Sequence, residues 1–122
     1  MGMTVRVGFV PSVRSRGRGA APWYLKMQQD SLDAFAQVSG LEIITPQPPP
    51  PGEAANAEQG HTVEGVVATL DEAEGLATFF QRQKVDGLIL CPLNFGDERS
   101  AVKVAELLRV PVLLYATKEP PV

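Results

Sequence analysis

The chain has one cysteine, one histidine and one tryptophan among its 122 residues, and each scarcity removes a class of chemistry. Cys91 alone forms no internal disulfide and no cysteine zinc site. At the end of an apolar run it reads as a small buried residue. His61 lies in a proline-rich stretch and has no second histidine to share a metal with, so it reads as a loop residue. No Ser-His-Asp or Cys-His set assembles from it, and acidic residues do not fall at metal-ligand spacing. No apolar run approaches the ~20 residues needed to span a bilayer. Met1 leads into residues 5–10 without a secretory pattern, which makes the cytoplasm the expected location. Basic excess is also missing: 11 Lys and Arg against 14 Asp and Glu give a net charge of −3. That balance speaks against a general nucleic-acid or membrane-surface binder. No internal repeat is present.

What the chain does have is an ordinary apolar share, 44%, and the length of one domain spanning residues 1–122. Residues 5–10, 87–90 and 110–115 are dense in β-branched residues and Leu, as strands buried on both faces are. Residues 41–45 form a weaker fourth run, with Glu42 placing it near an edge. Between them the punctuation is helical. Pro22 suits a first turn, where a missing N–H has no partner to lose, and Leu25, Leu32, Phe35 and Ala36 follow on one face before Gly40. Thr69 to Glu72 reads as a capping box ahead of a Leu76, Phe79, Phe80 stripe that ends near Lys84. A third helix is expected from about Asp97, with Ala101, Val104, Leu107 and Leu108 facing the core and Lys103 and Arg109 toward its C-terminal end. The order β-α-β-loop-α-β-α-β predicts an α/β fold, an open parallel sheet of about four strands in order 2-1-3-4 with helices on both faces, flavodoxin-like (Rossmann-like). An antiparallel ferredoxin-like arrangement is the alternative.

Residues 46–61 differ in kind. Pro46, Pro48, Pro49, Pro50 and Pro51 favour polyproline II and cannot donate to a ladder, and the small polar residues after them predict a mobile connection or a partner-facing arm. Such segments are more commonly linkers than ligands for a peptide-binding module.

In an open α/β sheet, ligands gather beyond the carboxyl ends of the strands at the switch point. Two loops belong there. The first, residues 11–19, carries Arg14, Arg16 and Arg18 with Gly17 and Gly19, and no acidic neighbour. Guanidinium forks, close backbone approach and a following helix N-terminus suit hydroxyl-rich or anionic ligands. It is not a nucleotide signature, since the third glycine and the Gly-Lys-Ser/Thr are both missing. The competing readings are a solvated basic loop or arginines paired with another subunit. Trp23 and Tyr24 either stack on a ligand ring or cover the sheet edge. The second loop, residues 91–97, offers Asn94 as an amide, Phe95 as a ring and Gly96 for a turn. Asp97 and Glu98 are adjacent and about a hundred degrees apart on a helix, so they read as N-terminal helix residues rather than a catalytic pair. No catalytic residue is assigned.

At these loops the sequence resembles the N-terminal domain of the L-fucose isomerase and L-arabinose isomerase family, over nearly the whole chain. The resemblance is carried by Val7-Gly8-Phe9-Val10-Pro11 leading into the arginine loop, by residues 85–97, and by residues 110–115 as a closing strand. It implies that the chain is the N-terminal, substrate-closing and oligomerisation domain of a larger multidomain aldose–ketose isomerase that acts on a monosaccharide. The family's Mn²⁺ ligands come from later domains, so the resemblance places no metal and no catalytic residue on this chain. It implies homo-oligomers, trimers or hexamers, in which the first domain closes the sugar pocket of a neighbouring subunit. Arg16 matches an arginine that contacts substrate, with Arg14 and Arg18 beside it. Leu93 stands where fucose isomerases place a tryptophan, while Phe95 and Gly96 match the aromatic and glycine that follow, and this departure weighs against fucose itself. A second reading, from the residues alone, is a stand-alone flavodoxin-like module that binds a small ligand or regulates without catalysis.

Overall fold

A computed structural model describes residues 4–14, 21–93 and 99–115, apart from the side chains of residues 21–23. Four strands, β1 (Val5–Ser12), β2 (Leu41–Ile44), β3 (Gly87–Pro92) and β4 (Val112–Leu114), alternate with helices α1 (Ala21–Ala36), α2 (Leu70–Arg82) and α3 (Arg99–Leu108). Two short turns of 3₁₀ helix, Ala57–Gln59 and Val63–Gly65, lie between β2 and α2. All three ladders are parallel and the strand order is β2-β1-β3-β4, as the helical crossovers predict.

Because strand side chains alternate, the two central strands feed two separate cores. Val7, Phe9, Ile89 and Cys91 join Tyr24 and the apolar side of α1. Val10, Leu88 and Leu90 join Ala73, Leu76, Ala77 and Phe80 of α2 with Ala101 and Val104 of α3. Gly8 sets the approach of α2, since a Cβ there would stand 2.8 Å from Leu88 Cδ2 and 3.0 Å from the Phe80 ring. The capping box at Thr69 is present: the Thr69 hydroxyl accepts from the Glu72 N–H, and the Glu72 carboxylate accepts from the Thr69 N–H, both at 3.1 Å.

The structure departs from the sequence reading in four places. First, β1 and β3 each run two residues further than their β-branched runs. The reason is a surrogate strand: Val67 donates to the Pro11 carbonyl (2.8 Å) and accepts from the Val13 N–H (2.9 Å), so β1 stays paired past the end of β2.

Second, β4 is not buried on both faces. Val112, Leu113 and Leu114 are 45%, 56% and 61% exposed, because β4 is the edge of the sheet and, among the described residues, pairs only with β3. Third, Leu107 of α3 is exposed rather than in the core.

Fourth, the proline-rich stretch does not trail as a mobile arm. Gln47 donates to Gly60 O and accepts from the Thr62 N–H, at 2.9 and 3.0 Å, and His61 donates to Asn56 O at 3.0 Å. The closed loop then lies on α2 so tightly that a Cβ at Gly60 would be 2.6 Å from the Phe79 ring, and one at Gly75 would be 2.8 Å from Ala57 Cβ. Small residues on both sides allow that contact.

Candidate functional site

The end of β1 lies against the end of β3: Ser12 pairs with Pro92, and the Leu93 N–H donates to Ser12 O at 2.8 Å. Strand order reverses between these two strands, and in an open α/β sheet ligands bind beyond the strand ends at such a switch point. Arg14, two residues past the end of β1, is exposed. Arg16, Arg18, Asn94 and Phe95 lie outside the described residues, as does the side chain of Trp23. Leu93 is fully buried in the core on the α1 side and offers no surface to a ligand.

Tyr24 resolves against the stacking reading. It is 1% exposed within the α1-side core, and its hydroxyl donates to Glu64 Oε1 at 2.6 Å. Glu64 belongs to the turn Val63–Gly65, where it holds a left-handed backbone at φ 59, ψ 10. Gly65 follows at φ 69, and its carbonyl accepts from Gln28 Nε2 at 3.0 Å. Sequence reading passed over this turn because a glutamate before a glycine carries no distinctive spacing. Its left-handed φ becomes visible only in the backbone.

Beside the turn, between α1 and the residues that follow β2, is a cavity of about 460 Å³. Gln28, Gln29, Gln47 and Glu64 supply its polar lining, with Leu25, Leu32, Pro46 and Pro48 as apolar walls. An apolar groove of about 410 Å³ crosses the exposed part of the α1-side sheet face, from Phe35 and Leu41 to Ile89 and Leu113.

Cys91 is fully buried and its thiol is pushed up to about 11 by the loss of water around it, with a smaller opposing pull from a hydrogen bond with Ser31. It is a core residue, as its sequence context predicts, and not a nucleophile at neutral pH. Among the described residues no group of three or more His, Cys, Asp or Glu side chains is arranged to hold a metal ion. These residues therefore do not fit a Mn²⁺ site. No helix among them is long and apolar enough to cross a membrane.

Comparison with curated proteins and with solved structures gave no match. Comparison with protein families gave one over residues 52–121, which is more than half the chain: the N-terminal domain of fucose/sulfoquinovose isomerase. The matched range begins in the proline-rich segment, runs through α2, β3 and α3, and includes the loop at 94–97. It is shorter than the near-complete resemblance read from the sequence, because β1 and the arginine loop precede it. With the parallel α/β architecture in place, the chain belongs to the fucose/sulfoquinovose isomerase N-terminal domain family.

Proposed function

We propose that the chain is the substrate-contacting, non-catalytic domain of an aldose–ketose isomerase, and that the crevice between the ends of β1 and β3 closes over the sugar. The observation that carries this is the family match over residues 52–121, which takes in the whole β3 side of that crevice. The reaction moves hydrogen between C1 and C2 of an open-chain aldose; Mn²⁺ and the carboxylates that shuttle the proton belong to other domains or chains. This chain's own part is to bind and orient. Arg14, Arg16 and Arg18 present guanidinium forks to hydroxyls or to an anionic substituent, and Asn94 adds an amide from the facing loop. Phe95 supplies an apolar surface for the sugar's C–H face, and Trp23 stands at the start of α1 to do the same. Holding the reacting carbons in one geometry is itself a large share of such a reaction's acceleration.

Assembly into a homo-oligomer, trimer or hexamer, belongs to the same reading. The exposed β4 edge supports it: three consecutive large apolar residues stand on an edge strand with no charge to guard it. The function is tested by assaying the protein as isolated from its host, with the domains or chains that accompany it, on L-fucose and on sulfoquinovose in the presence of Mn²⁺. Ketose formation from either sugar is expected. Formation from neither contradicts the assignment of activity.

A further inference from the structure

The cavity beside α1 is lined by residues to which the proposed function gives no role. Glu64 holds a left-handed backbone, φ 59 and ψ 10, which is unfavourable for any residue with a Cβ. Its neighbours hold it there. The Gly65 N–H donates to Thr62 O (2.9 Å), Gln28 Nε2 to Gly65 O (3.0 Å), and the Tyr24 hydroxyl to Glu64 Oε1 (2.6 Å). A local strain kept by three surrounding bonds is the pattern of a positioned side chain.

On the opposite wall, the backbone of Gln47 is fixed through both its N–H and its C=O, while its side chain makes no hydrogen bond among the described residues. Gln28 and Gln29 add two carboxamides from successive positions of α1. The volume, about 460 Å³, falls in the range of small-molecule sites.

The lining chooses the chemistry. Carboxamides and a carboxylate pair with hydroxyls, which both donate and accept. Leu25, Leu32, Pro46 and Pro48 match an apolar C–H face. No lysine or arginine lines the cavity among the described residues, so an anionic ligand would meet Glu64 with nothing to offset the repulsion. We infer that this cavity binds a neutral, polyhydroxylated small molecule such as an uncharged monosaccharide, and that Glu64 excludes charged analogues. The inference does not rest on the proposed function, because the cavity's lining holds none of the residues given a role there and needs no arginine.

The test is a ¹H–¹⁵N correlation titration of the 122-residue chain with L-fucose and, separately, with sulfoquinovose. Saturable shifts are expected with L-fucose at the side-chain amides of Gln28, Gln29 and Gln47 and at the Glu64 N–H. Sulfoquinovose should act at least about tenfold more weakly there. Gln47→Ala and Gln29→Ala, both at exposed positions, should weaken the neutral sugar about fivefold or more with the spectrum otherwise intact. Glu64→Gln keeps an acceptor for Tyr24 and should narrow the gap between the two sugars. The proposal is overturned by absence of saturable shifts at these residues, by equal response to both sugars, or by binding unchanged in both glutamine variants. Shifts confined to Arg14 and Leu93 would overturn it too, while leaving the crevice reading standing.

Discussion

The Tyr24 hydroxyl donates to Glu64 Oε1 at 2.6 Å, joining α1 to a turn forty residues later in the chain. One partner is buried and the other is a carboxyl group of a distant turn, so the bond ties two separate parts of the chain. Glu64→Ala and Tyr24→Phe are each expected to lower unfolding free energy by about 1.5–3 kcal/mol. The double variant should lose much less than the sum, leaving a coupling of about 1 kcal/mol or more. Urea denaturation of the four proteins measures it, and strict additivity would show that the bond contributes nothing.

Gly75 offers a sign test for the packing of the proline-rich loop. An alanine inside an exposed helix normally gains about 1 kcal/mol over glycine. Here the new Cβ would stand 2.8 Å from Ala57 Cβ, so Gly75→Ala should destabilise instead, by about 1–3 kcal/mol. Gly60→Ala should cost at least as much, with φ at 81 and Phe79 only 2.6 Å away. Gly52→Ala has the same left-handed backbone but open space around it, and should lose about 1 kcal/mol. Thermal melts of the three variants rank the contacts, and a stabilised Gly75→Ala would mean the loop does not lie on α2.

Two helices end on residues that glycine would suit better. Lys84 after α2 and Arg109 after α3 hold φ of 55 and 56. Their N–H groups close the helix ends onto Gln81 O and Ala105 O, each at 3.1 Å. Lys84→Gly and Arg109→Gly should each raise stability by about 0.5–1 kcal/mol. Chemical denaturation detects it as a higher midpoint at constant slope.

Cys91 gives a pH dependence with a definite sign. Its thiol is raised to about 11 in the folded chain from an ordinary value of 9.0. The folded state thus holds the proton longer, and this contribution is complete below pH 9. Between about pH 9 and 11 the unfolded chain ionises first, so wild-type stability should fall more steeply there than that of Cys91→Ala. A thiol reagent at pH 8 should label the native chain only after unfolding.

Much of the frame was legible because it rests on local signals. The β-branched runs named the strands, Thr69 and Glu72 named a helix start, and alternation of strand with helix gave the 2-1-3-4 order. What escaped depends on distant partners. The pairing of Val67 with Ser12 carries no local signal, and β4 read as buried until its edge position was known. The close approaches at Gly60 and Gly75 had no sequence signal, since such a contact cannot be read from one of its sides. Of the candidate site, the switch point between β1 and β3 was anticipated, Tyr24 was left between two readings, and the Glu64 cavity was not seen at all.

The central claim is that the arginine loop after β1 holds the substrate of an aldose–ketose isomerase. Steady-state kinetics of Arg16→Ala against the unaltered protein, in the form in which it isomerises a sugar, test this most directly. The account predicts a KM raised about tenfold or more with the metal requirement unchanged. An unaltered KM on every sugar turned over would contradict it.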